Sequence, residues 1–468
     1  MTTNQSHGRR IIRSFQSVAC LCAVFIMGAQ ALAAEPEWRV GLARVKITPE
    51  QPIFLAGYAS RNKPFERVET DLYVKALALE DREGKQAVLV TSDLIGLPAA
   101  VAEPICERLH RQVGLTRGQI LLNSSHIHTG PALSLSDTPS EGRSPGDAQR
   151  TVAYTKQLQD KIVEAAVQAL AHLEPAKLAW GNGVVNFVMN RREFTPRGVI
   201  LGVNARGTAD RSVPVLRVDS PDGKLRAVLF GSACHNTTLT DKDYMVCGDY
   251  AGYAQAYVEK EHASAEALFM IGCAGDANPY PRGSLELARG HGEALGKEVS
   301  RVLQTRLQPV HGPLQVAFDH VDLPLQAPPS HAELEKLASK NQGIPTWVAK
   351  QMLARLERGE KLPAHYTCPL AVWQFGADLT LVGLSGEVVV DYVGLLEKAL
   401  GPHRLWLAAY CNDVFGYLPS ARVLREGGYE TRGLYSGGIG YFDPAAEGML
   451  VAKVTELAKK AGRRLRGE

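Results

Sequence analysis

Five short apolar runs each lead into a residue able to do chemistry, and this recurrence constrains the fold more than any other feature. Ile120–Asn123 runs into Ser124-Ser125-His126-Ile127-His128, and Ala227–Phe230 leads to His235. Ala267–Ile271 leads to Asp276, Leu379–Leu384 to Glu387, and Leu405–Tyr410 to Tyr417. Runs of this length rich in Val, Ile and Leu read as strands, as do Val74–Leu79, Ala87–Thr91 and Val213–Val218. Longer segments with apolar residues every three or four positions lie between them: Ala99–Gln112, Thr155–Ala171, Ala251–Glu261, Leu285–Leu303, Ala332–Arg358, Val388–Leu400 and Ala445–Leu465. These read as helices. The alternation predicts an α/β fold, with mixed β-sheets flanked by helices. In such folds ligand groups gather beyond the carboxyl ends of strands.

The N-terminus carries Arg9, Arg10 and Arg13, then the apolar stretch Val18–Ala29, then Ala31-Leu32-Ala33. That order reads as a secretory signal peptide over residues 1–33. The apolar stretch falls short of the ~20 residues that span a bilayer. Export to the periplasm or the extracellular space is expected. The leader contains three of the 52 basic residues and none of the 49 acidic ones, so the remaining chain is formally neutral. Bulk charge therefore offers nothing to a nucleic acid. Beyond the leader stand Cys106, Cys234, Cys247, Cys273, Cys368 and Cys411, with no Cys-x-x-Cys spacing. Cys234 and Cys247 enclose His235 and are candidates to pair, and buried free thiols are the alternative for all six.

Residues 34–468 read as one large catalytic unit. Within it, 327–367 places a charged helix among Pro328, Pro329, Pro345 and Pro363, either a helical insertion or lid, or simply a helical hairpin on the surface. Ser134–Arg150 is rich in Ser, Pro, Asp and Gly and reads as a mobile loop. His126 and His128, two apart in an extended backbone, are able to face one site and form a metal clip; hydrogen-bonded loop histidines are the alternative. His235 repeats the setting and strengthens the metal reading. Glu387 reads either as a site carboxylate or as a favourable acid at a helix start, and Asp276 either as a site acid or as a turn cap. Neither a phosphate-binding glycine loop nor a Gly-x-Ser-x-Gly nucleophile elbow occurs in the sequence.

The order His126-x-His128-x-Gly130-Pro131, Asn190-Arg191, His235, Gly275-Asp276-x-x-Pro279, Ser385-Gly386-Glu387, Gly416-Tyr417 and Gly428-Tyr429-Glu430 resembles the catalytic domain of neutral/alkaline non-lysosomal ceramidases. Arg39-Val40-Gly41 through Asp71-Leu72-Tyr73 also fits, and the resemblance spans Val40 to Val451. It implies one zinc ion held by His126, His235, Glu387 and Tyr417, whose water hydrolyses the amide of ceramide or a related acylated lipid. It further implies that His128 lies near the reacting carbonyl, that Arg191 (or Arg192) lines the pocket, and that Asp276 orients the turn. Asn278 stands where the family carries a serine, within Gly-Asp-Val-Ser-Pro, and an amide side chain is no acyl nucleophile. The chain is expected to lack the family's immunoglobulin-like C-terminal domain. The implied partner is a lipid or small-molecule substrate, reached through peripheral membrane contact. Two further readings keep the pocket: a zinc hydrolase of another amide or ester, and a metal-binding relative without turnover.

Overall fold

Two principal sheets pack face to face, with helices covering both outer surfaces. The computed structural model describes residues 37–139, 142–340 and 342–465, so the expected leader lies outside the described residues. The larger sheet runs in the order Glu266–Ile271, Leu225–Ser232, Ser212–Asp219, Glu174–Val184, Trp38–Lys46, Tyr73–Asp81, Gln86–Ser92, Ile120–Ser124, with Gln308–Val310 added against Glu174–Val184. The smaller runs Leu314–Pro324, His365–Phe375, Leu379–Gly383, Leu405–Ala408. Both are mixed, as the sequence predicts. Three pairings are parallel: Gln86–Ser92 with Ile120–Ser124, Leu225–Ser232 with Glu266–Ile271, and Leu379–Gly383 with Leu405–Ala408.

Strand alternation sorts the core into layers. Leu77, Leu89, Leu229 and Met270 point inward against Trp373, Leu381 and Trp406 of the smaller sheet. Their neighbours Val88, Val90 and Leu122 point outward, under the helices Ala99–Val113 and Pro145–Ala171. Val228 and Phe269 lie under Asp249–Glu261 and Leu285–Leu303, while Val372 and Val382 lie under Asp391–Leu400 and Ala445–Lys460. Of the inner tryptophans, Trp38 and Trp373 satisfy their ring N–H groups on the carbonyls of Val310 and Gly118, each at 2.8 Å. A buried indole would otherwise lose a hydrogen bond. Gly292 lets the helix Leu285–Leu303 close on its neighbour, since a methyl group there would lie 2.4 Å from the Tyr253 Cβ.

Several elements depart from expectation for identifiable reasons. The segment expected as a loop through Arg150 turns helical at Pro145, because Ser144 and Asp147 form a reciprocal capping box with proline in the first turn. The single helix expected over Ala332–Arg358 is two helices, His331–Ala338 and Ile344–Glu357; Gly343 turns the chain at φ 66°, and Pro345 is accommodated in the first turn of the second. They form a helical pair inserted between two strands of the smaller sheet, and Leu334, Val348 and Met352 pack with Ile439 beneath it. Glu387 does not open a helix: it lies in a two-residue parallel ladder with Tyr417, and the helix begins only at Asp391. All six described cysteines are buried free thiols, so Cys234 and Cys247 do not pair.

Candidate functional site

The three parallel pairings direct their carboxyl ends to one place, and the predicted residues follow. His126 stands two residues past Ile120–Ser124, and His235 three past Leu225–Ser232. Glu387 comes four residues after Leu379–Gly383, and Tyr417 follows Leu405–Ala408 through a longer loop. The larger sheet thus brings the imidazoles and the smaller sheet brings the carboxylate and the phenol.

His126 and His128 converge as expected, but strand alternation is not the cause. The strand has ended, and His126 adopts a left-handed φ of 62° with its amide donating to Leu94 O at 2.8 Å. The turn brings the two Nε2 atoms to 3.2 Å. Gly57, at φ 91°, makes room for the second ring, because a Cβ there would lie 2.3 Å from His128 Nδ1.

Two backbone carbonyls fix the imidazole protons. His126 Nδ1 lies 2.6 Å from Ile95 O, and His235 Nδ1 lies 2.7 Å from Ala274 O. A carbonyl only accepts, so each Nδ1 donates, which leaves Nε2 as the acceptor of a neutral ring. Those Nε2 atoms lie 3.1 and 2.9 Å from the same Glu387 oxygen, Oε2. Oε2 is buried and receives no hydrogen bond, whereas Oε1 accepts one from the Tyr435 hydroxyl. Burial and then the Arg191 charge push His235 down to about 3. His128 is also driven well below the ordinary imidazole range, by burial and then by the other two histidines. Acceptor atoms facing one another at these distances repel unless a cation lies among them. Two imidazole nitrogens, a carboxylate and a nearby phenol suit zinc chemically, and His128 completes a three-histidine group within ligating reach.

Tyr417 lies across the ladder from Glu387, its ring parallel to His235 with centroids 6.4 Å apart. Arg191 is the arginine of the site: its Nη1 is 3.2 Å from His235 Nε2 and 3.4 Å from Asn278 Oδ1, and its Nη2 is buried without a partner. Arg192 turns away to Glu430, Glu426 and the Gly427 carbonyl. Asn278 also accepts from the Thr237 hydroxyl at 3.1 Å. Asp276 lies one step back, accepting from the Val390 amide at 2.8 Å and from the Asn190 side chain at 3.2 Å. Burial raises its pKa to about 6.

Three participants were not singled out by sequence reasoning. Glu430 is buried and joins Arg191 to Arg192, at 3.0 and 2.5 Å. It belongs to the Gly428-Tyr429-Glu430 motif, which signalled the position without giving it a role. Tyr435 holds Glu387, and Tyr410 lies with its ring 4.5 Å from that of His126 and its hydroxyl buried without a partner. Neither stands in a recognisable motif.

The sequence model described as neutral/alkaline non-lysosomal ceramidase, N-terminal, matches residues 38–285, just over half the chain. It includes both ligand-type histidines, Arg191 and Asn278, while Glu387 and Tyr417 lie beyond it. The neutral ceramidase of Pseudomonas aeruginosa is 23% identical over 287 residues, which are 60% of this chain and 42% of that protein. Neutral ceramidase A of Dictyostelium discoideum is 24% identical over 269 residues, 54% of this chain and 37% of that one. The matched regions thus span less than half the length of these relatives. In three dimensions, the crystal structure of the Pseudomonas aeruginosa enzyme aligns with a TM-score of 0.69 at 20% identity, covering 93% of this chain and 76% of that one. A ceramidase complexed with C2 aligns with a TM-score of 0.70 at 18% identity, with the same coverage. The fold is that of these structures, and the chain belongs to the neutral/alkaline non-lysosomal ceramidase family.

Proposed function

We propose that this protein is an exported, zinc-dependent hydrolase that cleaves the N-acyl amide bond of ceramide or a related acylated lipid. The carrying observation is the convergence of His126 Nε2, His235 Nε2 and Glu387 Oε2, three acceptors on one point, of which Oε2 is buried without a hydrogen bond and His235 Nε2 is approached by Arg191 Nη1. These three atoms would hold the ion, with the Tyr417 hydroxyl as the fourth ligand. A zinc ion there supplies water of pKa ~7 and polarises an acyl oxygen.

The remaining steps belong to the chain's own side chains. His128, with its Nδ1 buried and unpartnered, would take up the proton that the attacking water loses and deliver it to the leaving amine nitrogen. Arg191 directs its unpartnered Nη2 at the charge that develops on the acyl oxygen. Glu430 and the neighbouring strand hold that guanidinium still. Asn278 has its Oδ1 engaged by Thr237 and Arg191, leaving its NH2 group to orient the acyl chain. Asp276 fixes the turn through Val390 and Asn190.

The test is metal analysis of the purified protein followed by assay of a short-chain fluorescent ceramide beside a panel of other acyl amides and esters, with and without chelator. Chelator-sensitive release of fatty acid from the ceramide supports this reading. Turnover of another member alone assigns a different substrate, and bound zinc without any turnover assigns a binding protein. Asn278 in the serine position favours the different-substrate alternative. N-terminal sequencing of the exported product tests cleavage after Ala33.

A further inference from the structure

Large apolar side chains exposed to solvent are concentrated on one hairpin. Val188–Thr195 and Gly198–Asn204 form an antiparallel ribbon, and Phe194, Ile200, Leu201 and Val203 on it are 59, 47, 48 and 42% exposed. Its root is the candidate site: Arg191 lies in the first strand, and Val188–Asn190 pairs with Ala277–Pro279, which carries Asn278. Phe194 is three residues from Arg191, about 10 Å along an extended strand. Tyr280, 50% exposed, is tied to the same root through its amide and Phe187 O at 2.8 Å.

We infer that this hairpin is the element that docks the protein on a lipid bilayer carrying anionic headgroups, beside the mouth of the site. The inference rests on the reading of the chain as a lipid amide hydrolase and names the surface through which such a substrate is reached. Ile200 pairs with Glu193 and Leu201 with Arg192, so the consecutive side chains Ile200 and Leu201 leave the ribbon on opposite faces. Towards the tip each face therefore presents an exposed apolar side chain, while nearer the root the face of Leu201 is covered at Arg192 by Glu426 and Gly427. A folded protein partner covers one face of a ribbon, whereas a bilayer surrounds an inserted tip. The charges agree: Arg197 in the turn and Arg206 just beyond the second strand are exposed, and the one acid of the ribbon, Glu193, accepts from the Val203 amide. An aromatic side chain at the margin, as Tyr280 is, suits the level of the headgroups.

Co-sedimentation of the full chain with vesicles tests this, using phosphatidylcholine containing about a third phosphatidylglycerol and, separately, phosphatidylcholine alone. The native protein is expected to bind the mixed vesicles. The double variant Phe194→Ser, Leu201→Ser is expected to bind at least ~10-fold more weakly, while keeping the native melting temperature and zinc content. Arg197→Glu is expected to weaken binding several-fold to the anionic vesicles alone. Failure of the native protein to sediment overturns the inference, as does equal sedimentation of the double variant. So does a dimer in the absence of lipid that the double variant dissociates, which would assign the face to a second copy. Binding is read without substrate, so vesicle binding that depends on the hairpin in a protein without amidase activity upholds the docking surface and removes only the hydrolase reading.

Discussion

Glu387 and Tyr417 are direct partners in a two-residue parallel ladder, and the Glu387 amide is bound to Gly416 O at 2.8 Å. The pairing connects two loops that leave adjacent parallel strands of the smaller sheet, so the carboxylate and the phenol are positioned by one backbone contact rather than by two independent loops. Phe415 packs against Gly386, at φ 79°, where a Cβ would lie 2.6 Å from the ring. Replacing Gly386 by alanine should therefore displace both groups together.

Glu387→Gln keeps the shape and removes the charge. Metal bound per chain, measured by mass spectrometry after dialysis, should fall to near zero while the circular dichroism spectrum stays native. Tyr435→Phe removes a hydrogen bond to Oε1; by the usual effect of such supporting partners, zinc affinity should fall by about 10-fold or more.

His128→Ala separates ligand from proton carrier. The proposed role predicts full zinc occupancy with turnover reduced by about 100-fold or more. Loss of the metal in this variant would place His128 among the ligands instead.

Chelator should lower the melting temperature as well as the activity, because the proposed ligands come from both sheets and an ion held by them would bind only the folded chain. At free zinc 1,000 times the dissociation constant the stabilisation is about 4 kcal/mol. Calorimetry before and after readdition of zinc measures it.

Glu430→Ala leaves two buried guanidinium groups without their shared carboxylate. A cost of about 3–5 kcal/mol is expected from breaking such a buried pairing. Denaturant titration should show it, and the activity of the folded fraction should fall as Arg191 loses its anchor.

Asp413 gives a pH-dependent prediction. Burial raises its pKa to about 6, against the Tyr366 hydroxyl and Ala99 amide that it accepts from. An acid with a folded pKa above its unfolded value binds its proton more tightly when folded. Its stabilising contribution is full below about pH 4 and is lost as the pH rises through 6. Asp413→Asn should therefore gain in melting temperature relative to the native protein as the pH rises from 4 to 7.

The sequence revealed the parallel core because strands such as Ile120–Ser124 are buried on both faces and read as unbroken apolar runs. Trp38–Lys46 and Leu314–Pro324 escaped notice because exposed charged and polar residues interrupt their apolar pattern. Helix ends were legible where composition set them, as at Leu285–Leu303, whose expected and observed limits coincide. His126, His235, Glu387 and Tyr417 were legible because each follows an apolar run or stands in a quotable motif. Tyr435 and Tyr410 were not, since their importance comes from tertiary contacts with Glu387 and His126 that no local pattern encodes.

The segment 38–285 carries both ligand-type histidines and the pocket arginine, yet the acidic and phenolic members arrive only with the second sheet. A polypeptide severed between the two would possess half of the proposed coordination sphere, however well it folded. Chemistry in this architecture is thus a joint property of the layers, born only when the last of them docks.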